Sequence, residues 1–183
     1  MSFQFLLAPG PYHLLSYGTL LGSTLFQSFI GGIIAFRVLP RSSFSQLQQA
    51  TFPTFFAMQS FLPVAMALTY PGARLDSVTS SAWHLGYILR EENRWSVAVP
   101  IGVMLVTGLA NWLWIGPETT RVMRERKHQE TRDGKKAHDK GPQSPEMQKL
   151  NKSFMRLHGA STLVNLSGFV AMVAYGFTLG ARL

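Results

Sequence analysis

Two ionisable residues beside long apolar stretches, Glu118 and His158, are the first candidates for chemistry in this sequence. A carboxylate and an imidazole at the edge of a membrane could exchange a proton or bind an ion. The alternative is an ion pair between Glu118 and a nearby arginine, either Arg37, Arg41 or Arg121. We prefer the ion pair, and an enzyme that uses Glu118 and His158 is the third of three functional interpretations.

Polar residues inside the apolar stretches are a second candidate group. His158, Ser161 and Asn165 are spaced at i, i+3 and i+7, so they share one face of a helix. They could line a polar pocket, or they could hydrogen-bond between helices and fix the packing, worth about 1 kcal/mol each in a membrane. Amide side chains also occur in the other apolar stretches, at Gln27, Gln59 and Asn111.

Metal and cofactor sites have little support in this sequence. It contains no cysteine, which excludes disulfides, thiolate ligands and thiol catalysis. The Glu125 to His128 pair lies among arginines and lysines, which would repel a metal ion. We therefore expect no metal and no cofactor, and we place the scattered histidines at the interface or in solvent: His13, His84, His128 and His138.

The elements that must position these residues are four windows without a charged side chain. A helix rises about 1.5 Å per residue, so about 20 apolar residues cross the hydrocarbon layer. An unpaired charge would be strongly disfavoured there. The sequence predicts an all-α polytopic membrane protein, four transmembrane helices in a bundle with both termini on the same side. The windows are 1–36, 42–73, 95–117 and 157–181.

A single membrane domain, residues 1–183, follows from this pattern. Between the third and fourth spans, we expect residues 118–157 to form a basic helical stalk and a mobile loop, because charged helix formers give way there to Gly, Pro and Lys. The predicted spans are 12–36, 52–70, 96–115 and 158–179.

The net charge of +8 is concentrated between the third and fourth spans. Residues 118–156 contain eleven Lys or Arg and six Asp or Glu, an excess of five. The positive-inside rule then places this segment in the cytosol or the mitochondrial matrix. Anionic lipid headgroups are the expected partners rather than nucleic acid, since no nucleic-acid recognition fold is apparent.

Small residues provide the signal for helix packing. Helix association in lipid depends on close contact, which glycine allows. Gly102, Gly108 and Gly168 add to two small-xxx-small pairs, but the sequence leaves open whether such glycines join helices within one chain or form a homo-oligomer or larger membrane complex. The pairs are Gly18 with Gly22 and Gly176 with Gly180.

Three sequence blocks together resemble the transmembrane protein 205-like family, a four-span domain of unknown function. The resemblance covers about residues 14–170, and it implies the fold and a membrane location but no reaction. The blocks are AFRVLPRSSFSQLQQATFPTFF, NWLWIGPETTRVM and FMRLHGASTLVNL.

All three blocks fall at the end of the bundle that the charge rule places in the cytosol. We therefore predict a polar cap there that either binds a lipid phosphate or locks the bundle. The cap would comprise Arg37, Arg41, Asn111, Glu118, Thr119, His158, Ser161 and Asn165.

The preferred function is a non-enzymatic interaction or accessory component with a basic cytosolic loop. The second interpretation is a small-molecule or lipid transporter, or a lipid-handling protein, that uses the polar cap. No acid lies in the middle of a span, which disfavours a proton-coupled exporter. We expect the endoplasmic reticulum or another endomembrane, and a mitochondrial membrane as the second choice.

Overall fold

Four long helices make up most of the computed structural model, which describes residues 8–71 and 85–182. No β-strand occurs in these two ranges. Each helix is long and apolar enough to cross a membrane, so the predicted all-α, four-helix membrane fold is confirmed. The helices are α1, Pro9–Val38; α2, Arg41–Leu68; α3, Glu91–Asp133; and α4, Pro145–Gly180.

α3 runs for 43 residues although it contains two prolines. Pro100 and Pro117 each follow a short π-helical segment, Arg94–Ala98 and Asn111–Ile115. Proline lacks an N–H group and its ring crowds the carbonyl four residues earlier, which normally breaks a helix. The wider turn of the π segments accommodates both effects. The membrane span and the charged segment beyond it are therefore one continuous helix.

α2 also contains two prolines, Pro53 and Pro63, and the missing N–H group of Pro63 leaves the Gln59 carbonyl without its usual helical donor. Gly108 of α3 lies directly against this carbonyl. A Cβ atom at Gly108 would be 2.5 Å from the Gln59 oxygen and 2.7 Å from its carbonyl carbon. Only glycine allows the two backbones to approach so closely.

The predicted packing glycines behave differently from one another. A Cβ atom at Gly176 would collide with the Tyr17 hydroxyl, whereas one at Gly18, Gly22 or Gly180 would have no neighbouring atom of the described residues within 4 Å beyond its own helix. Close packing among the described residues therefore does not use these three glycines. An association between two chains through them stays a prediction. Gly168 is a further close contact, since its Cβ would lie 2.6 Å from the Thr107 hydroxyl.

The apolar core lies toward the end of the bundle where α2 ends and α3 begins. All four helices contribute to it, and methionines are prominent. Lipid tails are as apolar as these side chains, so close packing rather than hydrophobic transfer must hold the helices together. Methionine suits this task because it fills irregular gaps well. The most buried members include Leu20, Met66, Met104, Met172 and Tyr175.

Two exposed tryptophans mark the ends of the apolar part of α3. Trp95 is 78% exposed and Trp114 is 75% exposed. Their separation of 19 residues corresponds to roughly 28 Å of helix, close to the thickness of the hydrocarbon layer. Tryptophan favours the membrane interface. α3 continues beyond Trp114 to Asp133, and we expect this charged part to lie outside the hydrocarbon layer.

The segment beyond Trp114 packs against the first part of α4. We call residues 116–157, which comprise the end of α3, the connecting loop and the start of α4, the hairpin. Gly134 ends α3 in the left-handed conformation, with φ of 61°, and Ser144 caps α4 by accepting a hydrogen bond from the Met147 N–H. The Ser144 hydroxyl also donates to the Asp133 carboxylate at 2.7 Å.

Candidate functional site

Among the described residues, no network of hydrogen bonds or ion pairs joins all eight residues of the predicted polar cap. Asn111, Ser161 and Asn165 contribute to contacts between the helices inside the bundle. Arg37 and Arg41 lie at the turn between α1 and α2, whereas Glu118, Thr119 and His158 lie within α3 and α4.

Asn165 belongs to a polar network that joins three helices. The Gln59 amide donates to the Asn165 side-chain oxygen at 2.8 Å and to the Thr24 hydroxyl at 3.1 Å. The Asn165 amide donates to the Ser28 hydroxyl at 2.7 Å. These contacts connect α1, α2 and α4, which supports the locking interpretation for this part of the predicted cap.

Asn111 is fully buried at the start of the second π-helical segment of α3. Its amide nitrogen donates weakly to the Ser161 carbonyl at 3.5 Å. The Asn111 side-chain oxygen has no hydrogen-bond partner among the described residues. The close approach of Gly116, whose Cβ would lie 2.6 Å from the Asn111 carbonyl, belongs to the same widened turn.

Glu118 forms an ion pair with Arg121, which is one of the three arginines named from the sequence. The predicted ion pair is therefore confirmed. Arg121 also donates to Glu125 at 2.6 Å, so two carboxylates share one guanidinium. The hydrogen bond from Arg121 lowers the pKa of Glu118. A carboxylate held in its charged form is poorly suited to act as a general acid.

His158 and Glu118 form no ion pair in the part of the chain that the structure describes. The His158 ring instead lies parallel to Phe154, with the ring centres 5.7 Å apart. Phe154 also receives the guanidinium of Arg126, 4.6 Å from its ring centre. The expected acid–base pair of the enzyme interpretation is thus not assembled.

The remaining predicted cap residues make local contacts. The Arg41 guanidinium lies 4.0 Å from the centre of the Phe36 ring, at the turn between α1 and α2. Arg37 is exposed in the last turn of α1. The Thr119 hydroxyl donates to the Ile115 carbonyl of its own helix at 2.6 Å. Neither of these two contacts builds a shared site.

A cleft of about 870 Å³ opens beside these residues, between α2 and α3, with Leu150 of α4 at its side. Its membrane end is apolar, and we call Phe52, Phe56 and Trp112 its aromatic wall. Gly116 lies beside this wall and lines the cleft, and a Cβ atom at this position would be 3.4 Å from the Phe56 ring.

The outer end of the cleft is cationic. Arg124, His128 and Arg132 lie at i, i+4 and i+8 on α3, so they form a row along one face, which we call the cationic stripe. Arg124 and Arg132 have no ion pair or hydrogen bond among the described residues. Arg121 also lines the cleft, but Glu118 and Glu125 compensate its charge.

Sequence reasoning missed the cleft, although the spacing of the stripe was visible. The sequence predicts only a basic helical stalk in this part of residues 118–157. A row of two arginines and a histidine at i, i+4 and i+8 could have indicated a binding face. The neighbouring aromatic residues of α2 could not be placed beside it, because their contact depends on tertiary packing.

At the opposite end of the bundle, His13 is fully buried, and the prediction that it lies at the interface or in solvent is wrong. Its Nδ1 lies 2.9 Å from the Met66 carbonyl, which can only accept a hydrogen bond. Nδ1 must therefore carry the proton, and Nε2 accepts from the Tyr175 hydroxyl at 2.6 Å. His84 lies outside the described residues.

Arg182 closes this end of the bundle, and it has no acidic partner within residues 8–71 and 85–182. Its guanidinium donates to the Tyr70 hydroxyl, to the Asn93 side-chain oxygen at 2.9 Å and to the Ser96 hydroxyl at 3.3 Å. Within residues 8–71 and 85–182, no three His, Cys, Asp or Glu side chains are grouped as a metal site would require. The cleft is therefore the main candidate site.

Comparisons with known proteins place the chain in a family. The profile of the domain of unknown function DUF4149 matches residues 15–128, so the chain belongs to this family. It is 35% identical over 173 residues to "Xanthocillin biosynthesis cluster protein D" from Aspergillus fumigatus, a match that covers 94% of this chain and 90% of the relative. No solved structure matches the chain.

Proposed function

We propose that this member of the DUF4149 family is a non-enzymatic integral membrane protein that binds an anionic lipid in the cleft. The observation that carries the proposal is the combination, in one cleft, of the aromatic wall at the membrane end and the cationic stripe at the outer end. A lipid has the same order of chemistry along its length, an apolar tail followed by a charged headgroup.

The charges of the cleft support an anionic ligand. Its lining contains three arginines, Arg121, Arg124 and Arg132, against the single acid Glu125. Arginine forms charge-assisted, often bidentate hydrogen bonds with phosphate. Within the part of the chain that the structure describes, Arg124 and Arg132 make no ion pair that a ligand would first have to break.

A binding or accessory role agrees better with the contacts than catalysis does. Glu118 is held by Arg121, and the His158 ring lies parallel to Phe154 and forms no ion pair with Glu118 among the described residues. The relative's printed name associates that protein with a biosynthesis cluster. This association supports an accessory role in the membrane. We also propose that the chain is of the transmembrane protein 205-like type, which agrees with such a role.

The proposal includes an orientation and a location. The excess of lysine and arginine between α3 and α4 favours a cytosolic hairpin, where anionic headgroups are abundant. We propose an endomembrane such as the endoplasmic reticulum, with a mitochondrial membrane as the second choice. Gly18 and Gly22 have no close neighbour on another described helix, which leaves room for a second copy of the chain to pack there in a homo-oligomer.

Lipid binding by the full chain in nanodiscs tests the proposal. Nanodiscs of phosphatidylcholine would contain either no anionic lipid or a few molecules of a fluorescent anionic phospholipid, and transfer from protein tryptophan would report binding. Arg124→Gln should weaken binding by about tenfold, as expected for the loss of a charge-assisted contact.

Arg156→Gln is the matched control, because Arg156 is exposed on the hairpin but does not line the cleft. It removes the same charge and should leave binding within about twofold of the unchanged protein. Equal loss in both variants would mean that general surface charge attracts the lipid. That result, or no binding at all, would refute the proposal.

A further inference from the structure

The cationic stripe extends well beyond the level of an ordinary phospholipid phosphate. Trp114 marks the interface, and Arg121 lies seven residues farther along α3, or roughly 10 Å. Arg124 lies roughly 15 Å and Arg132 roughly 27 Å beyond the same point. The unpaired cations are therefore the ones farthest from the membrane.

Charge compensation in the cleft follows the same gradient. Arg121, which lies nearest the membrane, is already paired with Glu118 and Glu125. A single phosphodiester at the interface would meet this compensated arginine first. Arg124 and Arg132, which stand about 12 Å apart along the helix, would find no partner in such a small headgroup.

We infer that the cleft selects a lipid whose headgroup carries several phosphates, so that separate phosphates contact Arg124 and Arg132. This inference rests on the proposed lipid-binding function and specifies its ligand class. Phosphate monoesters carry a charge of about −1.5 to −2 near neutral pH, which would suit two arginines without acidic partners. His128, between them in the stripe, offers a further ring nitrogen as a hydrogen-bond donor.

The aromatic wall favours a lipid over a free phosphate compound. Phe52, Phe56 and Trp112 line the membrane end of the cleft, where a soluble polyphosphate would leave the wall uncovered. An acyl chain or the glycerol region of a lipid would cover it. The ligand thus needs both an apolar part and an extended anionic part.

The test compares phosphatidylinositol bisphosphate, phosphatidylserine and soluble inositol trisphosphate. The full chain would be held in nanodiscs in which the two anionic lipids supply the same total negative charge. The bisphosphate lipid should bind about tenfold more tightly than phosphatidylserine, and Arg132→Gln should remove most of this preference by weakening bisphosphate binding far more than phosphatidylserine binding. Arg156→Gln should preserve the preference.

The other outcomes separate this inference from the proposed function. If both lipids bind equally and Arg132→Gln has no effect while Arg124→Gln still weakens binding, the multiple-phosphate inference is overturned and the lipid-binding function stands. If inositol trisphosphate binds as tightly as the lipid, the apolar part is not recognised and the inference is also overturned. If no anionic lipid binds, both proposals fail.

Discussion

The backbone of Gly108 lies against the carbonyl group of Gln59, at the point where Pro63 deprives that carbonyl of its helical donor. Two sequence features on different helices thus complement each other. Proline frees a carbonyl on α2, and glycine on α3 leaves the space that the carbonyl occupies. This contact sets the distance between α2 and α3, which also form the two main walls of the cleft.

Gly108→Ala should destabilise the protein by about 1–3 kcal/mol or more, since the new methyl group would meet backbone atoms that cannot rotate away. Thermal unfolding in detergent would measure the change. Gly102→Ala is the control on the same helix, because its Cβ would have no atom within 4 Å. That variant should be neutral or more stable by up to about 1 kcal/mol. Equal destabilisation of both variants would contradict the proposed role of the contact.

Gln59 and Asn165 should show an energetic coupling of about 1 kcal/mol, as is usual for a hydrogen bond between membrane helices. A double-mutant cycle with Gln59→Leu and Asn165→Leu would measure it. Ser167→Ala, combined with Gln59→Leu, is the control, since the Ser167 hydroxyl donates only within its own helix. Additive effects in the first cycle would show that the network does not lock the bundle.

Acid should loosen the hairpin loop through Glu130. Burial opposes its charged form, but the Ala137 N–H at 2.9 Å and the Lys127 ammonium at 3.1 Å outweigh burial and lower the pKa of Glu130. A lowered pKa stabilises the folded state at pH values above the ordinary glutamate range of about 4.3. This stabilisation is lost as the pH falls through the lowered value.

The Ala137 amide resonance, followed by NMR in detergent, would report this titration. Its midpoint should fall below the ordinary glutamate range, and Glu130→Gln should abolish the shift and make the loop exchange faster at neutral pH. Glu146→Gln, on the other side of the loop, should preserve the titration. An Ala137 shift that survives Glu130→Gln would assign the effect to another group.

The absence of cysteine from the sequence makes the orientation easy to map. Lys140→Cys at the tip of the hairpin should react with a membrane-impermeant maleimide from the cytosolic side, and Arg90→Cys from the opposite side. Leu163→Cys is the control, because this exposed apolar residue of α4 should lie in lipid and stay unlabelled. Labelling of positions 90 and 140 from the same side would contradict four crossings.

The sequence was most informative where the physics is local or concerns the solvent. Lipid excludes charge, so charge-free windows predict the spans directly. The Glu118–Arg121 pair also follows from local spacing, since residues three apart share a helix face. Gly108 was recognised as small, but its contact with Gln59 depends on how two helices meet.

The burial of His13 shows what local patterns cannot supply. Its partners, Met66 and Tyr175, lie 53 and 162 residues away along the chain. The local sequence around a lone histidine near the start of a span does not distinguish a side chain that faces lipid headgroups from one in the protein interior. Only the packing of α1 against α2 and α4 distinguishes the two environments.

The continuity of α3 also has a mechanical consequence. A span that is too long or too short for its bilayer adjusts by tilting. Because the cationic stripe lies on the same continuous helix as the span, a change in tilt of about 10° would move Arg132 sideways by roughly 5 Å relative to the interface. Bilayer thickness would thereby change the position of Arg132 at the outer end of the cleft, and membranes of different thickness would give the protein different ligand affinities.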